Sequence, residues 1–368
     1  MTSRSVLVVG AGVAGPTLAY WLARHDVRVT VVERSRGPRS SGNPVDVRGP
    51  ALPVVEAMGA LPRLRELATG VRTMRLLGPS GRETARLPMS LQPGAVELPR
   101  ADLAAALQEL ARDSAEFVFD DTVTDLHADD GGVDVAFERS APRRFDLVVG
   151  ADGLHSTVRR LAFGPEREFV RPTGLLVATV PLGGPAEDPT AAVLHNTPGR
   201  LVSLHPARGE AMAAFIFRRA DGAAIDHRDT AAHRRIVIES HQGLGWRVPE
   251  FLDRVREAED LYFDSVSRVD LPSWSRGRIC LLGDAASCLS LLGEGSSLAI
   301  AGAHTLAEAV ASRLGDPAQA LRRYEQTHRA RVTPKQRALR LSAALLVPST
   351  RFGLATRNLA ARLVPARG

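Results

Sequence analysis

The sequence predicts an α/β fold, with a doubly wound parallel sheet, an inserted antiparallel sheet and C-terminal helices. Three observations carry that expectation. The chain opens on an apolar run, a glycine turn and a helix. Apolar runs ending in an acid beside a glycine return at 146–153 and 279–286. Between these returns lie short apolar segments separated by Pro and Gly, which suit an antiparallel insert.

The opening unit sets the rest. Ser5 to Val9 is short and rich in β-branched residues, so it reads as a buried strand. Gly10-x-Gly12-x-x-Gly15 follows at once. Gly10 permits the tight turn, Gly12 lets the backbone approach a pyrophosphate, and Gly15 lets helix and sheet pack closely. Ala14 and Gly15 lead into a buried helix whose unpaired N–H groups and positive dipole end face that pyrophosphate. Pro16 stands in the first turn, where a missing N–H costs little. A second strand, Val27 to Val32, ends on Glu33-Arg34, with the Glu33 carboxylate placed to accept ribose hydroxyls. Strand, glycine turn, helix, strand and acid together predict a dinucleotide site. The motif alone leaves open NAD(P) or FAD.

Composition bounds the class. The chain has 368 residues, 44% hydrophobic and 24% charged, with formal net charge +6. Lys335 is the single lysine, so nearly all the positive charge is arginine. The arginines are scattered among acids without a basic run or interleaved aromatics, which argues against nucleic acid as partner. Two cysteines, Cys280 and Cys288, make no disulfide framework, and a reducing, cytoplasmic setting is expected. No secretory leader and no membrane span is expected. The basic, amphipathic tail from Ala338 to Arg367 reads as a helix packed on its own domain, with a membrane surface as the alternative.

The remaining elements follow in order. Ser35 to Pro50 is loop with a short strand near Val45 to Arg48, and 51–58 and 61–67 are helical. Two short strands flank Gly78-Pro79-Ser80-Gly81, a hairpin signal. Arg100 opens a helix running to about Ala111, and a cation at a helix N-terminus hints at an anionic ligand. Strands at 117–123 and 133–137 precede the apolar strand that ends at Asp152-Gly153. Strands at 175–181, 191–195, 201–205 and 212–218 form the insert, with His195, His205, Phe215 and Phe217 as candidate substrate-pocket liners. Segments 230–240 and 249–258 look helical. Ile279 to Ala286 is again a strand ending in Gly-Asp, with Asp284 able to bind a polyol chain. A helix starts near Gly295 and Ser296, where its dipole can stabilise negative charge on a ring. Asp316-Pro317 caps a charged helix expected to end near Thr333, before Pro334.

The three motifs, Gly10-x-Gly12-x-x-Gly15 with Glu33, Asp152-Gly153, and Gly283-Asp284, resemble in order those of the class A, single-component FAD-dependent monooxygenases. Para-hydroxybenzoate hydroxylase and the tetracycline-inactivating monooxygenases belong to that family. The resemblance implies a Rossmann-like FAD-binding domain at 1–73, 97–165 and 273–315. It implies a substrate domain at 74–96 and 166–272, and C-terminal helices at 316–368. It implies that the glycine turn, Glu33 and Arg34 hold the adenosine half of FAD, and that Arg100 contacts the phosphates. Asp152-Gly153 would serve FAD and a transient NAD(P)H visit, with Arg159 as that motif's trailing arginine. Asp284 would bind the ribityl chain, and Arg48 would lie near the flavin ring.

The implied activity is NAD(P)H-consuming hydroxylation of an aromatic or polyketide-like molecule by dioxygen, through a flavin C4a-hydroperoxide, in a monomer or homodimer. There are departures. Ser287 stands where the family often has histidine, Leu289 and Leu291 occupy the region of a usual proline, and Glu294 replaces a common glutamine. No catalytic base and no metal site is assigned. Cys288 reads as a small buried residue rather than a flavin link. Trp246 and Trp274 lack the halogenase spacing, and no lysine lies near the flavin motifs. An FAD-dependent oxidase or dehydrogenase on the same fold, and a non-catalytic flavoprotein that sequesters a ligand, are the alternatives.

Overall fold

The computed structural model describes residues 4–37, 44–89, 92–207, 209–219, 229–259, 261–289, 294–312 and 316–363. β1 (Ser5–Val9), α1 (Ala14–Ala23) and β2 (Arg28–Glu33) form the opening unit. β3 (Val45–Val47) leads through a single tight turn into α2 (Leu52–Ala57) and α3 (Leu61–Glu66). β4 (Thr73–Leu77) and β5 (Glu83–Pro88) make the hairpin, and β6 (Val96–Leu98) and α4 (Arg100–Ala111) follow. β7 (Glu116–Phe119), β8 (Val123–Ala128), β9 (Val133–Phe137), β10 (Arg143–Phe145) and β11 (Leu147–Gly150) lead to α5 (Thr157–Ala162). The insert holds β12 (Val170–Pro181), β13 (Ala191–Thr197), β14 (Arg200–Pro206), β15 (Ala211–Arg218), α6 (Thr230–His241), α7 (Val248–Glu257) and β16 (Tyr262–Val269). β17 (Ser275–Arg276), β18 (Ile279–Leu281), α8 (Asp284–Ser287), α9 (Glu294–Ser312), α10 (Pro317–Leu346) and α11 (Arg351–Arg362) close the chain.

The mixed α/β architecture is the one expected. A six-stranded sheet runs β17-β18-β11-β1-β2-β7, parallel except for edge strand β17. Val6 to Val9 of β1 are buried, as an unbroken apolar strand covered on both faces must be. Because β1, β2, β11 and β18 are parallel, the turns that follow them share one edge, where ligands bind in open α/β sheets.

The second large sheet runs β16-β12-β15-β14-β13-β4-β5, with β13 and β4 its one parallel pair. Side chains alternate between its faces. Leu175, Val177, Ala192, Leu194 and Val266 join the core shared with the nucleotide domain. Leu176, Ala178, Val193, Val202, Phe215 and Phe217 join a second core with Val237 of α6 and Phe251 and Val255 of α7.

Three elements differ from the sequence expectation. The strand expected at 117–123 is two, β7 and β8, which join different sheets. β16 is a full edge strand, hidden in the sequence because Asp264, Ser265, Ser267 and Arg268 blur its alternation. α10 does not stop before Pro334 but runs through it to Leu346. Proline removes one helical hydrogen bond, yet Val332, Leu339 and Ala343 stay buried along the helix, and that packing carries it past the break. The amphipathic tail is accordingly divided between the end of α10 and a separate helix, α11. None of the described helices is long and apolar enough to cross a membrane.

Candidate functional site

The first corner is built by three glycines with different jobs. Gly10 has φ +107°, and a Cβ there would stand 2.5 Å from the Ala151 carbonyl oxygen, so the turns after β1 and β11 touch. A Cβ on Gly15 would stand 1.9 Å from the Gly10 oxygen, which fixes α1 against the turn. A Cβ on Gly12 would meet nothing within 4 Å, so this backbone fronts open space. α1 begins with no side-chain cap at Val13 and no acid in its first turn, which spans Ala14 and Gly15. Such a start offers its N–H groups to an anion. At the end of β2, Glu33 accepts hydrogen bonds from Ala11 N (2.9 Å), Ser35 N (2.9 Å) and Ser35 Oγ (2.7 Å). These bonds aim the carboxylate along the glycine turn, with Arg34 exposed beside it.

At the second corner the acid is engaged within the protein. Asp152 Oδ1 accepts from Ser156 Oγ (2.5 Å) and Oδ2 from Val158 N (3.0 Å). Burial raises its pKa above the ordinary carboxylate range, against the pull of those hydrogen bonds. Arg159 is fully buried and donates to the Leu154 and Ala285 carbonyls, which staples this corner to the third. His155 Nδ1 lies 3.0 Å from Glu166 and Nε2 3.4 Å from Asp264 of β16. Hydrogen bonding to Asp264 and Glu166 pushes its pKa up to about 9, so the ring is cationic at neutral pH.

The third corner turns at Gly283, φ +62°, into Asp284 at the start of α8. Arg100 Nη2 lies 3.9 Å from Asp284 Oδ2, and both side chains are partly exposed. Asp102 shares the first turn of α4 with Arg100 and partly offsets a cation at that end. Gly295 abuts Asp284, since a Cβ on it would stand 3.5 Å from Oδ1. Ser296 is buried in the first turn of α9. Its neighbour Ser297 donates to the Asp46 carbonyl (2.8 Å) and accepts from Arg48 N (3.0 Å), locking the Arg48 segment to the start of α9. Ser287 and Leu289 are buried, and the remainder of the altered loop, 290–293, lies outside the described residues.

An ionisable cluster adjoins this helix start. Arg48 pairs with Asp46 (3.3 Å) and Glu294 (3.2 Å), and Glu294 also binds Lys335 Nζ (2.6 Å). The lysine expected away from the flavin motifs therefore stands beside one, because α10 packs along α9. Burial pushes the Asp46 carboxyl up to about 6 although Arg48 opposes the shift. Glu97 of β6 accepts from Thr69 Oγ1 (2.6 Å) and lies 3.1 Å from His205 Nε2.

Of the four candidate pocket liners, only His205 faces the nucleotide domain. His195 lies on the opposite face, its ring 5.5 Å from that of Trp246. Phe215 and Phe217 meet the His241 ring edge-on at 5.0 and 4.8 Å. The reason is the two-residue period of a strand. Leu194 and His205 have the parity that faces the nucleotide domain, whereas His195, Phe215 and Phe217 have the other. The inward row is Tyr262, Thr179, Ala214, Ser203 and Leu194, paired strand to strand, with His205 opposite Met212 in the next row. Reading the sequence missed Asp46, Glu97, His155, Tyr262 and Asp264. His155 alone left a local signal, two residues after Gly153.

The arrangement fits a flavin dinucleotide, with open space before Gly12, an uncapped α1, the Glu33 carboxylate at the end of β2, and Arg100 beside Asp284. The chain belongs to the FAD binding domain family, whose model matches residues 3–338. Within it the chain is a class A FAD-dependent monooxygenase, an oxidoreductase with FAD as cofactor. It is 41% identical to an uncharacterised protein of Mycobacterium tuberculosis, over 83% of this chain and 84% of that one. It is 30% identical to a flavin-dependent monooxygenase of Legionella longbeachae, over 90% and 87%. The solved tetracycline destructase Tet(51) superposes with TM-score 0.85 at 27% identity, covering 100% of both chains. Klebsiella pneumoniae HpxO, solved with FAD and uric acid, shares the fold, with TM-score 0.78 and 21% identity over 98% and 92%.

Proposed function

We propose that this monooxygenase hydroxylates an aromatic or polyketide-like small molecule, using NAD(P)H as reductant and dioxygen as oxygen source. The observation that carries the reading is the inward face of the seven-stranded sheet. Ser203, His205, Met212 and Tyr262 stand there only partly buried, on the side of the sheet that packs toward the nucleotide domain. A tetracycline destructase and an HpxO complex with uric acid share this architecture, and both names point to ring-bearing substrates.

When bound, FAD supplies the oxygen-activating redox chemistry. The chain's residues hold and orient. The turn at Gly12 and the start of α1 receive the pyrophosphate, Glu33 the adenosine ribose, Arg100 a phosphate, and Asp284 the ribityl hydroxyls. The start of α9 at Gly295 and Ser296, with Arg48 beside it, favours negative charge on the ring system. Asp152 serves by fixing the backbone of its corner. His205, held by Glu97, accepts a proton from a substrate hydroxyl and so enriches the carbon to be oxidised.

The test is turnover of the purified yellow holoenzyme with ring-bearing hydroxyl compounds under labelled dioxygen. The reading requires substrate-stimulated NAD(P)H consumption and one labelled oxygen per product. Flavin reduction by the substrate itself, without nicotinamide, would instead establish an oxidase or dehydrogenase. Tight ligand binding with no turnover under any reductant would establish a sequestering protein.

A further inference from the structure

We propose that the C-terminal helices dock this enzyme on an anionic lipid surface. Leu341, Leu345, Phe352, Leu359 and Leu363 are 64%, 51%, 79%, 62% and 80% exposed. The one other large hydrophobic side chain so exposed among the described residues is Phe119, which stacks on Phe117. Single exposed apolar residues are ordinary on any surface, but a concentration of them in one short segment marks an interaction site.

The spacing gathers them. Phe352, Leu359 and Leu363 lie seven and eleven residues apart, and so share one face of α11 and the turn that ends it. Leu341 and Leu345 are four apart on the last turns of α10. The opposite faces are already used, with Leu354, Asn358 and Ala361 of α11, and Leu339 and Ala343 of α10, buried against the body. The helices meet where Arg357 Nη1 reaches the Leu345 carbonyl at 3.4 Å.

Charge selects the occupant. After Glu325 the sequence contains no Asp or Glu, but holds Arg329, Arg331, Lys335, Arg337, Arg340, Arg351, Arg357, Arg362 and Arg367. Arg337, Arg340 and Arg351 are exposed, with no carboxylate partner among the described residues. An apolar stripe flanked by unpaired arginines is the pattern of a helix lying in a lipid interface, with guanidinium groups at headgroup level. A second copy docked symmetrically on the same face would bring these arginines together with no acid in the segment to receive them. α11 packs on β5 and β13, so docking would bring the β5 side of the substrate sheet toward the lipid.

The experiment is sedimentation of the full-length holoenzyme with vesicles of phosphatidylcholine alone or mixed with phosphatidylglycerol. Binding to the mixed vesicles, weakened by salt, and none to pure phosphatidylcholine is expected. Phe352→Ser with Leu363→Ser, and separately Arg340→Gln with Arg351→Gln, should each lower partitioning on the order of tenfold. Flavin content and unfolding temperature should be unchanged, because these side chains face solvent. Absence of binding to the mixed vesicles, or equal binding by the variants, overturns the proposal. So does a dimer in light scattering that Phe352→Ser with Leu363→Ser dissolves, which would assign the face to a second copy.

Discussion

The two faces of the seven-stranded sheet are cut from the same strands, yet they are different materials. The face toward α6 and α7 is dry, with Phe215, Phe217, Val237 and Phe251 at 0% exposure. Burial there pushes the His241 pKa down to about 4, so its ring is neutral at physiological pH. The face toward the nucleotide domain holds partly buried Ser203, His205, Met212 and Tyr262, and His205 meets a cluster of carboxylates from β3, β6 and α9 with Arg48 just after β3. The lesson is that strand parity, not residue type, decides which histidine faces the nucleotide domain. His195 and His205 sit on adjacent strands and look alike in sequence, but only His205 is aimed at the cofactor side.

The comparison predicts its largest effect on the dry face. Phe215→Ala should remove about 3–5 kcal/mol of stability, as truncation of a fully buried aromatic does. Urea denaturation measures this, while FAD content and flavin reduction of the folded fraction should be unaltered. A variant of undiminished stability with a raised KM would reverse the assignment of faces. Next comes His155, which joins the second corner to β16 on the inward side. Its pKa rises from 6.5 to about 9 in the folded protein, so its stabilisation is complete below the unfolded value and vanishes as pH climbs through the folded one. Allowing for partial exposure, His155→Gln should cost about 1–3 kcal/mol at slightly acid pH and almost nothing in strong alkali. A pH-independent loss would mean that packing, rather than ion pairing, ties the corner to the sheet.

The part of this architecture legible in the sequence is the part governed by local rules. The first glycine turn declares itself because Gly10 and Gly15 each answer a backbone constraint, while Gly12 leaves its backbone open, all within six residues. Parity in β13 and β15 does not. Both of their faces are buried or apolar, Ala214 and Ile216 on one and Phe215 and Phe217 on the other, so alternation gives no sign of which core each side joins. Partners chosen by tertiary packing are equally silent. Glu294 meets Lys335 across 41 residues only because α9 and α10 lie together, and Glu97 of β6 meets His205 of β14 from a different sheet. β16 and the run of α10 through Pro334 were hidden for the same reason, since long-range packing overrode the local pattern.

On the inward face a smaller effect of opposite sign is expected at Asp46. Its pKa is raised from 3.8 to about 6, so folding is favoured while the group is protonated, and that advantage is lost as pH rises through the folded value. Asp46→Asn should therefore stabilise the enzyme above that point, by about 1–2 kcal/mol, and leave it unchanged in acid below the unfolded pKa. Loss of stability at alkaline pH would show that pairing with Arg48 outweighs the burial of the carboxylate.

His205 gives the smallest change in stability and the sharpest test of the contrast. Its side chain is 12% exposed, and its partner Glu97 keeps the hydrogen bond from Thr69 when the imidazole is gone. His205→Ala should thus cost about 1 kcal/mol of stability, the common size for a substitution that opens no large cavity. Its effect should fall on turnover, with kcat for a hydroxylated substrate reduced on the order of a hundredfold, as loss of a proton acceptor requires. Glu97→Gln should lower kcat more mildly, because the imidazole loses its carboxylate neighbour but stays in place. If His205→Ala instead destabilises the fold as much as Phe215→Ala and leaves kcat of the folded fraction unchanged, both faces are merely packed, and the inward face loses its claim to the substrate.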